Sequence, residues 1–484
     1  MKKKYFIISV LILILLGISS VFIGYSENKF VNTIKILVPT PVKNFVKKNI
    51  FFVSDIRSEL FRLKKNVNRQ NTQIDYLKGQ IQIQKKNTNY LLSELQSEKN
   101  FFVSPLISQN EKIQTEKGNN YKMKKFYYPS IPWQFNEKKP AGYLYNYQNL
   151  VYSVTGDANL YYFDMNDVDK DKLRLNIIKT NLKEYLKDEN IFKSGKVSIR
   201  GIFISNEKIF LSYMHEVKKD CYNMSILFSD FGLNNLVFKN FFSYDINECS
   251  KNMSNHTGGR MIPFNNDSFL FTTGDGQLYA EAQNSQSMWG KLLKINYDGT
   301  LNKIVAKGMR DTQGATYYSK DKVVVMSEHG PTGGDEINAI TYEEIMSDNE
   351  VNFGWPIATY GEIKYIKIKE NKFTIKDELN HSKNGFKEPI AHYTPSVAPS
   401  HIINVDNFNE KFSKDFFMST LGNMPGIGRR ALHHLKFDDE YKKVVYSDII
   451  NVGERIRDMI YVSEFNKVIL ILELSPSITI LEAL

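Results

Sequence analysis

Ser327-Glu328-His329-Gly330-Pro331-Thr332-Gly333-Gly334-Asp335-Glu336-Ile337-Asn338 gathers a histidine, three carboxylates and three glycines behind the β-branched run Lys322–Met326. The Gly-Pro and Gly-Gly steps turn the backbone tightly and aim carbonyl oxygens at one point. Carbonyls with carboxylates suit a hard cation such as Ca2+, which takes many oxygens in flexible geometry. The plainer reading is a polar turn between two strands. Four further stretches bring histidine, arginine and carboxylate together: Asn255-His256-Thr257-Gly258-Gly259-Arg260, Phe271-Thr272-Thr273-Gly274-Asp275-Gly276, Gly308-Met309-Arg310-Asp311-Thr312-Gln313-Gly314 and Arg455-Ile456-Arg457-Asp458. Neutral imidazole is a base suited to neutral pH, and guanidinium binds planar anions. Taken singly, each has a structural alternative: a solvated turn, a hairpin turn, or surface ion pairs on one strand face.

The elements that must position these groups are short strands. Leu150–Val154, Leu160–Phe163, Ile202–Ile204, Ile209–Tyr213, Ser268–Thr272, Lys291–Ile295, Val323–Met326, Phe416–Ser419 and Lys467–Leu472 are bounded by turn residues, and no long amphipathic helix interrupts residues 126–484. Such spacing indicates a sandwich, barrel or propeller, and a propeller is the natural single domain for about 360 residues. No clean repeat sets the blade number. The least strand-like part is 341–390, read as a long loop with a short helix at Thr341–Met346. Cys221 and Cys249 flank a hairpin of Ser225–Phe228 with Phe238–Tyr244. They form either a disulfide, favoured outside the cytoplasm, or two buried thiols.

The N-terminal quarter has a different character. Lys2, Lys3 and Lys4 precede Tyr5–Gly24, an apolar run long enough to span a bilayer with the remainder of the chain outside. An uncleaved anchor over residues 1–25 is the reading, with a cleaved signal peptide as the alternative. Val53, Ile56, Leu60, Leu63, Val67, Ile74, Leu77, Ile81, Leu91 and Leu95 follow heptad steps, weakened by Gln70, Gln84 and Thr88. They predict a coiled-coil stalk over about 53–98 that would make a homo-oligomer, or else one solvated helix. Residues 104–125 read as a polar linker closing a stalk of 26–125. The net charge of +10 is scattered and leaves no nucleic-acid footprint.

In order along the chain, His256-x-Gly258-Gly259-Arg260, Thr273-Gly274-Asp275, Gly290-Lys291, Gly308-x-Arg310-x-x-Gln313-Gly314, Glu328-His329-Gly330-Pro331, Asn352-x-Gly354-Trp355-Pro356, Pro395-Ser396-Val397-Ala398-Pro399-Ser400 and Arg455-x-Arg457-Asp458 resemble the soluble glucose/sorbosone dehydrogenases, the aldose sugar dehydrogenases dependent on pyrroloquinoline quinone (PQQ). The resemblance is close over 255–460 and looser over 126–254. It implies an all-β, six-bladed β-propeller, here behind a transmembrane helix and coiled-coil stalk. It also implies hydride transfer from a sugar C1 hydroxyl to PQQ, yielding a lactone and passing electrons to a quinone or other acceptor on the periplasmic side.

By that resemblance His256 is the general base, Asp275 orients it, and Arg310 faces the quinone oxygens. Asp311 and His329 lie at the cofactor, Ser396 gives it a hydroxyl, and Arg455 and Arg457 meet its carboxylates. Gly330 and Pro331 supply carbonyl ligands to Ca2+. Three positions depart from the family pattern. Asp311 stands where Asn is usual. Gly422 stands where Lys is usual, with Arg429 or Arg430 as substitutes. Gln148 or Asn149 is left as the first-blade contact. These departures leave a second reading open: a propeller that has lost its cofactor and presents a carbohydrate- or protein-binding surface.

Overall fold

The computed structural model describes residues 104–484 except 106–107, 128–141, 157, 186–198, 246, 252–255, 363–380, 409–412 and 423–427, together with parts of 62–79. The described strands form six antiparallel-built sheets. Their first strands are Gly142–Tyr147, Ile199–Ser205, Gly258–Pro263, Thr312–Tyr318, Pro399–Asn404 and Ile456–Val462. They touch one another in that order, and the last returns to the first. This closed ring of inner strands makes a six-bladed propeller.

Second strands are buried on both faces and read as near-continuous apolar runs, as Ser268–Thr273 and Val323–Glu328 do. The outer strand Val444–Ile450 alternates instead. A separate apolar core fills each gap between neighbouring blades. Between blades two and three, Phe203, Phe210 and Phe269 pack with ring centroids 5.5–5.8 Å apart. Burying each such ring contributes roughly 1.5–3 kcal/mol.

The sixth blade corrects the linker assigned to 104–125. Ile456–Val462, Lys467–Leu472 and Ser477–Ala483 come from the C-terminus. Asn120–Tyr127 and Ser108–Gln114 are added from the N-terminal side, with Ser477 opposite Tyr127. The lysines hid this strand because they are buried with partners. Lys124 Nζ donates to the carbonyls of Val168, Asp169 and Lys170, and Lys125 pairs with Glu111 and Glu454 at 3.0 and 3.1 Å. Closing the last blade with strands from both chain ends ties the ring shut.

A buried ion pair pins the blades across the axis. Arg260 of blade three donates to Asp458 of blade six at 2.7 Å, and Leu144 N of blade one donates to the other carboxylate oxygen at 2.7 Å. Removing one partner would strand a buried charge, at a cost of about 3–5 kcal/mol. In blade two, the expected hairpin pairs Ser225 with Ser243 and Phe228 with Lys239. Cys221 and Cys249, 28 residues apart, are joined by a disulfide. Closing that loop restricts the unfolded chain, so Cys221→Ala with Cys249→Ala is expected to cost about 3–4 kcal/mol in denaturant unfolding. An unchanged midpoint would show that the bridge does not constrain folding.

The short helix Tyr342–Met346 forms where expected, with a capping box between Thr341 and Glu344. Of the stalk, described residues between 62 and 79 are helical, and Leu63, Val67, Ile74 and Leu77 are each about half exposed. The anchor over 5–24 and the remaining heptad positions lie outside the described residues. Among the described residues no helix is long and apolar enough to cross a membrane.

Candidate active site

Strand direction places every quoted motif on one face of the ring. His256, Arg310, Ser396 and Arg455 lead into inner strands, while Asp275, His329, Gly422 and Glu473 leave second strands. Both kinds of junction lie at the same end of their blades. Gln148 and Asn149 occupy an exposed turn at the opposite end of the first inner strand. The first-blade contact proposed there is therefore corrected: neither residue reaches this face.

At the centre is a chain of three side chains. Asp275 Oδ1 lies 2.8 Å from His256 Nδ1, and Arg310 Nη2 lies 2.9 Å from His256 Nε2. The carboxylate only accepts, so Nδ1 carries the proton. Nε2 is then left with the lone pair into which Arg310 donates. Trp355 Nε1 donates to the second Asp275 oxygen at 2.7 Å, and Gln277 N donates to the first at 2.8 Å. The carboxylate is buried and fixed from three sides. Arg310 lies over the Trp355 ring, 5.3 Å from its centroid, and donates to the His329 carbonyl at 2.9 Å. The backbone is tied as firmly: Gly276 N donates to His256 O and Asp275 N to Arg310 O. Gly274 is required here, because a Cβ on it would sit 1.9 Å from the His256 carbonyl oxygen.

Asp311 is buried beneath this chain. It accepts from Gly258 N at 3.1 Å and Gln313 Nε2 at 2.9 Å. Burial raises its pKa, but any positive charge on His329 or His256, together with the hydrogen bonds from those donors, holds the carboxyl below its ordinary range. Asp311 thus braces the His256 loop from behind. His329 is kept neutral by burial, and its Nε2 has no hydrogen-bond partner among the described residues.

The Gly-rich loop is organised by buried Asp335. One oxygen accepts from Gly330 N at 2.9 Å, and the other from Ser396 Oγ, Val397 N and Ala398 N at 2.6–2.7 Å. Ser396 therefore gives its hydroxyl proton to the loop that carries Gly330 and Pro331. Gly422 leaves space that Arg429 fills, since a Cβ there would lie 2.6 Å from Arg429 Cβ. Arg429 Nε donates to Ser396 O at 2.8 Å. Arg457 and Arg455 share Glu473 at 2.6 and 2.8 Å, and Arg455 is buried, donating also to the Leu421 carbonyl. Burial would raise Glu473, but the two guanidiniums hold it low.

Behind Arg310, Glu328 accepts from Arg310 N and Thr312 Oγ1, yet burial pushes it up to about 7. Glu336 faces it across the strand pair and is raised well above its ordinary value, by burial first and then by Glu328. Asn338 at 3.3 Å and His381 at 3.6 Å are its near neighbours. These raised carboxyls keep protons that the unfolded chain gives up above about pH 4.3. Their stabilisation is complete below that pH and is lost as pH rises through 7. Glu336→Gln should therefore flatten the fall in melting temperature between pH 5 and 8. An unaltered slope would remove Glu336 from the account. Among the described residues no cluster of three or more His, Cys, Asp and Glu is arranged to hold a metal.

Sequence reasoning missed Trp355, Gln313, Glu328, Asp335 and Glu473 as site residues. The first four lay inside quoted motifs, but the partners that mark them lie in other segments of the chain: Asp275 for Trp355, Arg457 for Gln313, Arg310 for Glu328 and Ser396 for Asp335. Glu473 had no local signal at all.

The family model for glucose/sorbosone dehydrogenases matches residues 194–473, more than half of the chain. The chain belongs to that family. It is similar to the aldose sugar dehydrogenase YliI of Escherichia coli, with 28% identity over 178 residues, 34% of this chain and 44% of the relative. The chain spans about half the length of the curated relatives it matches. Two solved structures share the fold. One is the apo-form of the soluble aldose sugar dehydrogenase from Escherichia coli (TM-score 0.54, 18% identity, covering 78% of this chain and 99% of that one). The other is the PQQ-bound form of an aldose sugar dehydrogenase from Streptomyces coelicolor (TM-score 0.50, 16% identity, covering 75% and 98%).

Proposed function

We propose that this chain is an aldose dehydrogenase that binds PQQ and Ca2+ over the described face and oxidises the C1 hydroxyl of a sugar to a lactone. The observation that carries the reading is the Asp275–His256–Arg310 chain. It presents a neutral imidazole with its lone pair directed to a cation above an indole. The donor set fits a planar, anionic quinone. Arg310 and Arg457 bring charge, and Arg310 Nε and His329 Nε2 are buried without hydrogen-bond partners among the described residues. When bound, PQQ supplies the hydride acceptor.

A substrate hydroxyl displaces the Arg310 hydrogen bond and gives its proton to His256 Nε2, as hydride leaves the same carbon and the C=O bond forms. Asp275 holds Nδ1–H and stabilises the imidazolium that results. Arg310 stays beside the site, tied to the His329 carbonyl, and offsets negative charge developing there. The carbonyls of Gly330 and Pro331 would hold Ca2+, on a loop that Asp335 fixes from below. Arg429, over Gly422, supplies the cation that the family usually draws from lysine. The disulfide supports an extracytoplasmic setting, with residues 5–24 as the anchor and the heptad segment as an oligomerising stalk.

The test uses the full chain in detergent, because a fragment starting at 126 would lose Ser108–Gln114 and most of Asn120–Tyr127 from the closing blade. Titration calorimetry with PQQ, with and without Ca2+, is combined with dye-linked oxidation of an aldose panel. Ca2+-dependent binding with turnover is expected. A folded chain that takes up no PQQ would overturn the reading.

A further inference from the structure

Gly290-Lys291 is a motif that the chain of Asp275, His256 and Arg310 leaves unused. The Lys291 side chain is buried, and among the described residues no carboxylate pairs with it. Its Nζ donates instead to three backbone carbonyls, those of Glu281 at 2.7 Å, Ala282 at 3.1 Å and Trp289. All three lie on the segment between Asp275 and Gly290. Two further ties hold the same segment. Gly308 N donates to Ala282 O, and Gln283 Nε2 donates to the Trp355 carbonyl at 2.6 Å.

The turn so clamped is the short helix Tyr279–Gln283, which follows Asp275 at the active face. It presents Tyr279 beside the base. The Tyr279 ring is half-buried, with its centroid 6.4 Å from that of His256. It stands edge-on to Trp355 at 5.9 Å, and Arg310 lies over that same indole. Among the described residues Tyr279 is the one aromatic ring packed beside His256. Its hydroxyl has no hydrogen-bond partner among them. Burial and then Asp275 raise its pKa, so the hydroxyl keeps its proton.

A pyranose has apolar C–H faces and a polar rim. Tyrosine meets both, with a flat apolar ring and a polar tip, at little cost in side-chain freedom. A sugar hydroxyl must come within about 2.6–3.2 Å of His256 Nε2 to give up its proton. The rest of a pyranose held there lies within one ring width of Tyr279. We propose that Tyr279 is the platform on which the substrate stacks, that Lys291 positions it through the carbonyls of its turn, and that the substrates are cyclic pyranoses bound by a C–H face. This deepens the function proposed above and rests on it for the chemistry at C1. The stacking itself needs no turnover.

The experiment therefore uses a probe that cannot react. 1,5-Anhydro-D-glucitol, a pyranose with no C1 hydroxyl, is titrated against the full chain in detergent, with and without PQQ and Ca2+. Its binding is followed by saturation-transfer NMR, and D-glucose oxidation is measured in parallel. Tyr279→Ala is expected to weaken the probe about 10-fold. The glucose KM should rise by a similar factor, with kcat and PQQ affinity within about twofold of wild type. Tyr279→Phe keeps the ring and should lose only about threefold. If Tyr279→Ala binds the probe and oxidises glucose as the wild type does, the platform is overturned and the dehydrogenase stands. If the wild type takes the probe through Tyr279 but takes up no PQQ, the platform stands and the dehydrogenase falls. A wild type that takes neither probe nor glucose overturns the platform. Should Tyr279→Ala melt earlier than the wild type, Tyr279→Leu and Tyr279→Phe decide. Probe binding kept by Phe and lost by Leu supports stacking, and equal binding by both overturns it.

Discussion

Replacing His256 with alanine is expected to lower sugar oxidation by about 10²–10⁴-fold, the usual worth of a positioned general base, while PQQ affinity changes by only a few fold. The split follows from the contacts. His256 Nε2 is the one basic atom in the Asp275–His256–Arg310 chain able to accept a hydroxyl proton. Arg310 does not depend on it for position, since it remains tied to the His329 carbonyl and stacked on Trp355. Single-turnover reduction of bound PQQ by sugar, followed by absorbance, isolates the chemical step, and calorimetry gives the affinity. A variant that reduces PQQ at the wild-type rate would show that the proton goes elsewhere. A large loss of affinity with normal reduction would make His256 a binding residue.

The residues of that chain were legible because each sits where an apolar strand gives way to glycine. Thr273-Gly274-Asp275 and Gly308-Met309-Arg310 announce a loop beside a core strand from sequence alone. The strand rule that alternate residues share a face also held, since Arg455 and Arg457 both reach Glu473. What could not be read was the partner supplied by a neighbouring strand. Glu473 lies after a different strand, and whether a guanidinium meets a carboxylate or a ligand depends on blade closure. Arg200 is the sharper case. Within Ile199-Arg200-Gly201-Ile202-Phe203-Ile204 it reads as a lone charge in an apolar strand, and only a ring of six such strands makes it a pocket residue. Asn120–Tyr127 failed for the opposite reason. Its three lysines suggested solvent, although Lys124 and Lys125 are buried and satisfied by carbonyls and carboxylates from distant segments. The number of blades followed from closure and not from any repeat.

Asp275→Asn is expected to be nearly as damaging as loss of the base, although it changes neither volume nor shape. Asp275 accepts three hydrogen bonds, from His256 Nδ1, Trp355 Nε1 and Gln277 N. An asparagine has only one oxygen. If that oxygen stays with Trp355, its NH2 faces His256 Nδ1 and drives the proton to Nε2. There it meets the Arg310 N–H now donating at 2.9 Å, so two donors oppose each other and no lone pair is left for substrate. If the oxygen turns to His256 and Gln277, the tautomer survives but the buried Trp355 N–H faces another donor, at a cost of about 1–3 kcal/mol. The first arrangement should dominate activity, with turnover down by up to about 10⁴-fold, as wrong-tautomer variants of His–Asp pairs behave. Nitrogen-15 chemical shifts of the His256 ring report the tautomer directly. Nδ1 protonated in the wild type and Nε2 protonated in Asp275→Asn would establish the mechanism. The same tautomer in both, with full turnover, would reduce Asp275 to a structural brace. Intermediate turnover with an unmoved tautomer and a lowered melting temperature would point to the Trp355 contact instead.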